Sequence, residues 1–286
     1  MMKKLFIPFL AITLISCSKS VAQKPDFKEH ISKEFTVKAN DVLALYNIQG
    51  SIKVEGYEGN KVLIEVDKTI SAKTQQDLEI GKNEFKLNMD QQNDSLIVYI
   101  KEPYDTRPNR NRNWGNDRKI HYNYHLDYTI KVPKSMNLII STVNDGDINI
   151  TNIDGPIKAN NVNGKITLNN VKAAYDVHTI NGEVAINFLA SPPDNAKFYT
   201  LNGKMTVTLP NNFSADCSFK SFNGEFYTDF ENTEKLPHKI TKTTEERNGK
   251  TTQKLNKTDI VRFGSGGKNL SFETFNGNIY IKKASI

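Results

Sequence analysis

Thr179-Ile180-Asn181-Gly182-Glu183-Val184 is followed by Thr200-Leu201-Asn202-Gly203-Lys204-Met205, then by Ser221-Phe222-Asn223-Gly224-Glu225-Phe226 and Thr274-Phe275-Asn276-Gly277-Asn278-Ile279. Weaker copies stand upstream at Thr142-Val143-Asn144-Asp145-Gly146-Asp147-Ile148, Val162-Asn163-Gly164-Lys165-Ile166 and Ile48-Gln49-Gly50-Ser51-Ile52. Measured at the residue before each glycine from Asp145 onward, the intervals are 18, 18, 21, 21 and 53. A near-constant period of this kind marks a stacked-repeat architecture.

Asn-Gly alone signals a two-residue hairpin turn, because both residues tolerate positive φ. The content of the intervals argues against that reading. Each holds two alternating apolar runs, as in Val184 to Phe188 and Phe198 to Leu201, with the irregular break Ser191-Pro192-Pro193-Asp194-Asn195 between them. Consecutive hairpins would repeat the turn after every strand, whereas here one interval makes one coil of two strands and two corners. The half-period shows at Ile153-Asp154-Gly155-Pro156-Ile157. The expected fold is all-β, a single parallel β-solenoid of 18 to 21 residues per coil. Ile166, Leu168, Val184, Ile186, Phe188, Met205, Val207, Leu209, Phe226 and Ile279 fall at period two and are the expected core.

The column after the glycine tests this register independently. It reads Asp147, Lys165, Glu183, Lys204, Glu225 and Asn278 in chain order, with the signs alternating through the first five. Coils stacked about 4.8 Å apart would put these side chains next to one another, where alternating charges attract. Asn163, Asn181, Asn202, Asn223 and Asn276 would form an amide ladder, and the Thr/Ser column a hydroxyl ladder. Both are read as structural, together with the file Lys165, Glu183, Lys204 and Glu225.

Outside the regular coils, residues 35–68 read as cap or first coils, and 71–82 holds a short helix. Phe85 to Met89 and Leu96 to Ile100 read as strands, and Tyr128 to Pro133 leads into the coils. Two basic insertions break the pattern. Residues 101–120 carry Arg107, Arg110, Arg112 and Trp114 in a flexible excursion. Residues 231–262 hold a polar hairpin, Lys239 to Glu246 and Lys250 to Lys257, around Asn248-Gly249. Insertions in solenoids collect on one edge, so Arg107, Arg110, Arg112, Trp114, Lys239, Lys242, Lys250 and Lys254 are candidate binding residues.

The amino terminus reads as an address. Met1-Met2-Lys3-Lys4 precedes an apolar run from Leu5 to Ile15, too short for a stable membrane span. Leu14-Ile15-Ser16-Cys17 resembles the bacterial lipobox, with cleavage before Cys17 and lipidation of that residue. Cleavage after Ala22 would instead release a soluble chain. The expected organisation is therefore a signal peptide at 1–16 (or 1–22), a tether at 17–33 and one solenoid domain at 34–286.

The 286 residues are 37% hydrophobic and 24% charged, which excludes a multi-span membrane protein and a disordered chain. A net charge of +6 is spread too thinly to call for nucleic acid. Cys17 and Cys217 are the two cysteines, and Cys217 alternates with Ala215 and Phe219 as a small buried hydrophobe. His121 and His125 lie about 13 Å apart on a strand, too far for one zinc. Gly264-Ser265-Gly266-Gly267-Lys268-Asn269 lacks the first glycine and the final hydroxyl of a phosphate loop. Asn144-Asp145-Gly146-Asp147 lacks the acidic spacing of a calcium loop. No catalytic residues, metal or cofactor are assigned.

The basic signal with its lipobox, the Gly50 copy, the Val132-Pro133 lead-in and the Thr-apolar-Asn-Gly ladder together resemble the bacterial envelope domains called toastrack domains, named as candidate adhesins. The resemblance covers roughly residues 35 to 283 and implies a parallel β-solenoid on an exported protein, with no catalytic residues to transfer. The expected function is a non-catalytic envelope scaffold or adhesin-like binding module. It would be held to a membrane by the N-terminal lipid and meet an envelope protein or glycan. Two alternatives are an envelope-stress signalling input and a polysaccharide-active β-helix enzyme. The outward strand positions hold Thr, Asn, Lys and Glu without a focused acid/base cluster, which disfavours the enzyme.

Overall fold

Buried residues alternate with more accessible ones along the interior strands, as in Ile166 to Leu168 and Met205 to Leu209, which is what a chain with one face on a core must show. The computed structural model describes residues 24–109, 119–247 and 250–285. Cys17, both candidate cleavage points, Arg110, Arg112 and Trp114 lie outside the described residues.

The chain opens with β1 (Asp26–Thr36), β2 (Val42–Tyr46), β3 (Ile52–Tyr57) and β4 (Lys61–Ala72). The helix α1 (Gln75–Glu84) follows, then β5 (Lys86–Gln92), β6 (Ser95–Glu102), β7 (Tyr122–Pro133) and β8 (Asn137–Ser141). Next come β9 (Ile148–Asn160), β10 (Ile166–Asn181), β11 (Val184–Phe188), β12 (Ala196–Asn202), β13 (Met205–Leu209), β14 (Ala215–Asn223) and β15 (Phe226–Thr228). The chain ends with β16 (Thr233–Arg247), β17 (Lys250–Phe263), β18 (Lys268–Asn276) and β19 (Ile279–Lys283).

These strands form two stacked faces. One runs β1, β4, β7, β3, the first half of β9, the first half of β10, β11, β13, β19, β15. The other runs β5, β6, β2, β8, the second halves of β9 and β10, β12, β18, β14, β17, β16. The interior pairings are parallel, and β9 and β10 pass from one face to the other. The chain is thus a parallel β-solenoid, with Ile148 paired to Ile166, Ile166 to Val184 and Val184 to Met205. Antiparallel strands close the ends: β4 and β1 on β7, β5 on β6, and β17 and β16 on β14.

The stack does not follow chain order. The coil β2/β3 sits between β6/β7 and β8/β9. The final coil β18/β19 sits between β12/β13 and β14/β15. Equivalent corner motifs make every coil a suitable neighbour for every other, so the repeat reveals coil register but not coil sequence. The long hairpin β16/β17 supplies the chain length that lets the last coil double back.

Two local boundaries also differ. Residues 26–33 are not tether but part of β1, whose Phe27, Ile31 and Phe35 pack on the core. Their four-residue spacing, diluted by charges suited to an exposed edge, hides the strand's period of two. The helix begins at Gln75 instead of 71, because Ser71 and Ala72 remain paired to Asn123 and Tyr122. Thr74 then caps it, its hydroxyl accepting from the Asp77 amide at 3.1 Å.

Ile148, Ile166, Val184, Met205 and Ile279 stack as one buried column. Phe198, Phe272 and Phe219 stack as another, and Phe263 from the hairpin packs against Phe219 at that end.

Candidate functional site

The repeated corner is built by three stacked columns, each with its own physical task. The glycines answer a steric demand. A Cβ on Gly182 would lie 2.0 Å from the Gly164 carbonyl oxygen, one on Gly203 2.0 Å from that of Gly182, and one on Gly277 2.0 Å from that of Gly203. Close approach of successive backbones, not positive φ, therefore excludes a side chain at Gly182 and Gly203.

Inside the corner, the Thr/Ser column does not form a hydroxyl ladder. Each hydroxyl instead donates to a glycine carbonyl of an adjacent coil: Thr142 to Gly50 at 3.0 Å, Thr179 to Gly164 at 2.9 Å and Thr200 to Gly182 at 2.8 Å. Asn161 does the same for Gly146 at 3.0 Å. The coil spacing matches the reach of a hydroxyl to a carbonyl, and that bond satisfies an acceptor that a second hydroxyl would leave unpaired. Thr200→Val, which keeps the shape and deletes the donor, is expected to lower stability by about 1 to 2 kcal/mol. Thr200→Ser should retain most of it, as read from urea midpoints.

Outside the corner, the asparagines do bond side chain to side chain. Asn163 donates to Asn144 at 2.7 Å, Asn181 to Asn163 at 2.8 Å, Asn202 to Asn181 at 2.8 Å, Asn276 to Asn202 at 2.6 Å and Asn223 to Asn276 at 2.7 Å. Asn223 thus reaches the ladder through Asn276, the consequence of the inserted coil.

The amides of Ile148, Ile166, Val184, Met205 and Ile279 donate to the carbonyls of Lys165, Glu183, Lys204, Asn278 and Glu225, which sets the spatial order of the file as Asp147, Lys165, Glu183, Lys204, Asn278 and Glu225. Lys204 and Glu183 pair at 3.7 Å. Lys204 and Glu225 are not neighbours, because Asn278 lies between them. Asn278 Oδ1 accepts from the Glu225 amide at 3.0 Å, as Asp147 Oδ1 accepts from the Lys165 amide at 2.7 Å. The ladder residues are thus engaged in holding the corner.

The candidate binding residues of the first insertion fare differently from those of the second. Arg107 is committed within the fold, bidentate to Asp105 and 4.0 Å from the Tyr99 ring centroid. Its guanidinium is thus already paired with a carboxylate two residues away. Lys239 and Lys242 lie on β16, and Lys250 and Lys254 on β17, in one antiparallel register that pairs Lys239 with Thr258 and Lys254 with Thr243. The hairpin stays paired with β14 only from Ala215 to Phe219, and its arm continues beyond that contact.

Asp216 and Arg262 fasten the base of the hairpin, with Nε to Oδ1 at 2.8 Å and Nη2 to Oδ2 at 3.1 Å. The Arg262 guanidinium holds the Asp216 carboxyl below the usual carboxylate range. The pair's contribution is present above the unfolded carboxylate pKa of about 4 and is lost as pH falls through the lower folded value. The wild-type urea midpoint should therefore fall more steeply with acidification than that of Asp216→Asn.

Beside that base, a cleft of about 360 Å³ has Phe213 and Phe230 in its lining with Asn211, Asn232, Glu231 and Lys283. Burial pushes the Cys217 thiol up, which keeps it protonated. Burial also raises the Asp127 carboxyl, but hydrogen bonds from the Ser51 hydroxyl and amide and from His125 outweigh it and hold the group low. In that cluster Asp127 stands between Ser51 and His125, so the histidine cannot take the serine proton. Among the described residues no three His, Cys, Asp or Glu side chains gather as a metal site. None of the described helices is long and apolar enough to cross a membrane.

Two exposed aromatic pairs belong to the same end of the tower. Phe222 stacks on Phe275 at 4.7 Å and 6°, and Tyr227 on Tyr280 at 5.1 Å and 12°. Sequence reasoning took Phe222 and Phe275 only as the apolar position of the motif. The signal was available: that column holds Ile180 and Leu201 elsewhere and turns aromatic only in these two coils.

A stacked corner of this kind, repeated along a two-faced parallel tower, coincides with a sequence match to the family Toastrack DUF4097 over residues 137–259. That stretch, less than half of the chain, is what resembles the Toastrack family. The Toastrack match begins at β8 and ends within β17, so it leaves out β18/β19, the coil inserted into its own stack. Among solved structures, a candidate cell adhesion protein from Clostridium sporogenes is 13% identical, with 90% of this chain and 100% of that chain covered and a TM-score of 0.44. A candidate adhesin from Bacteroides fragilis is 10% identical, covering 90% and 97%, with a TM-score of 0.23. A candidate lipid binding protein from Parabacteroides distasonis is 12% identical over the same shares, with a TM-score of 0.25. At TM-scores below 0.5, none of these bears on the function of this chain. No curated protein matches it.

Proposed function

We propose that this protein is a Toastrack-type, non-catalytic, adhesin-like binding module of the bacterial cell envelope, exported and anchored through a lipid on Cys17. The observation that supports this reading is the division of labour along the tower. The recurring polar groups of the corner, Thr, Asn and the Gly carbonyls, are spent on one another. One end of the tower carries a long hairpin whose sequence is rich in Lys and a group of exposed rings. Such a surface suits recognition.

The reading is tested by incubating the full mature chain, and a chain whose hairpin is shortened by removing residues 239–257, with detergent-solubilised envelopes. Hairpin-dependent retention of an envelope component, without change in that component's mass, is the expected result. Equal retention by both chains, or consumption of the bound material, overturns it. Labelling of the expressed precursor with a radioactive fatty acid, abolished by Cys17→Ser, checks the anchor.

A further inference from the structure

The open end of the tower carries ring surface for which the fold has no use. Phe222 is 74% exposed and Tyr227 43% exposed, both in the coil β14/β15. Their stacking partners, Phe275 and Tyr280, both belong to the neighbouring coil β18/β19. The uncovered faces of Phe222 and Tyr227 therefore look the same way, out past the last parallel coil. Among the described residues β15 pairs with β19 alone, and β17 pairs with β14 only as far as Phe219, so no strand pairs alongside Tyr227 or Phe222 on that side. Elsewhere in the tower the same outward columns hold Ile180 and Leu201, and Ala185 and Thr206. Bulky rings enter them only at this end.

The chemistry around the rings is specific. Asn223, Gly224 and Glu225 lie between Phe222 and Tyr227, and the Tyr227 hydroxyl donates to the Glu225 carboxylate. Asn278, one coil below, donates to the Tyr280 hydroxyl at 3.2 Å. Flat apolar faces thus alternate with planar amide and carboxylate groups. On the other face of the tower the hairpin arm continues beyond Phe219, and residues 233–263 carry eight Lys/Arg against four Asp/Glu.

Ring faces of this kind pack on the C–H face of a pyranose, and amide or carboxylate groups bond its hydroxyls. The surplus of positive charge on the arm selects for acid groups on the ligand and against a cation that the rings would otherwise favour. A lipid surface suits the rings but not Glu225 and the amides beside them. A second copy would need a longer pairing edge than the three residues of β15.

We propose that this end of the tower binds an anionic polysaccharide, its sugar rings on Phe222 and Tyr227 and its acid groups toward the hairpin. The proposal rests on the binding-module reading and names its ligand class. The test titrates the mature chain with polygalacturonate, with dextran, which has rings but no charge, and with polyphosphate, which has charge but no rings. Binding of polygalacturonate is expected, at least about tenfold tighter than of either control and weakened by salt. Phe222→Ala combined with Tyr227→Ala should reduce it by about tenfold or more while the urea midpoint stays within error, since both rings are exposed. Equal binding of polyphosphate, equal binding of dextran, no binding of any of the three, or indifference to the double substitution overturns the proposal. If polygalacturonate fails while hairpin-dependent envelope capture persists, the ligand class falls and the binding module stands; if both fail, both fall.

Discussion

Gly203→Ala is expected to destabilise the protein by about 3 kcal/mol, the upper range for forcing atoms into a filled site. The added methyl would sit 2.0 Å from the Gly182 carbonyl oxygen and 2.6 Å from its carbon. Both are backbone atoms, so no rotamer change relieves the clash and the coils must part. Parting them lengthens the Thr200 to Gly182 and Asn202 to Asn181 bonds, now 2.8 Å each. Gly267→Ala serves as the contrast: nothing lies within 4 Å of its Cβ, and only the φ of +118° opposes the change, at about 1 kcal/mol. Urea unfolding of the two variants should separate them by about 2 kcal/mol. Equal midpoints would mean that the coils part at little cost and that close approach does not demand glycine at this corner.

Phe272→Ala should cost about 4 kcal/mol, in the range for truncating a buried aromatic. Phe272 is fully buried, stacked between Phe198 at 5.1 Å and Phe219 at 5.2 Å. Those two partners come from coils that would be neighbours if the stack followed chain order, so the ring is the wedge that keeps the inserted coil in place. Its loss removes contacts on both sides and leaves a cavity that two fixed backbones cannot collapse. Given a typical total stability of about 5 to 15 kcal/mol, the variant should unfold at a much lower urea concentration. Hydrogen exchange should speed first in β18 and β19. A uniform rise across the tower would instead indicate a single cooperative unit from end to end.

The corner motif made the solenoid readable because its three requirements, a carbonyl-capping hydroxyl, a ladder amide and a residue without Cβ, must recur in every coil. The hairpin was readable from Asn248-Gly249 and the polar runs on either side. Other features left no comparable trace. Strand β1 was hidden because an exposed edge tolerates charge at positions that an interior strand must fill with apolar groups. The commitment of Arg107 to Asp105 and Tyr99 was hidden because nothing local distinguishes a paired guanidinium from a free one. The ring platform was half visible: its residues stand in the repeat, but only stacking decides which faces remain open.

The sequence by itself determined the coil, its period, its inward and outward faces and the contents of each corner, because these depend on interactions that repeat every 18 or 21 residues. The tertiary structure alone decided the order of the coils and which end stays open. With every corner able to bond every other, local chemistry is degenerate, and the choice falls to the longer connections and to the stacking of Phe198, Phe272 and Phe219 across the core.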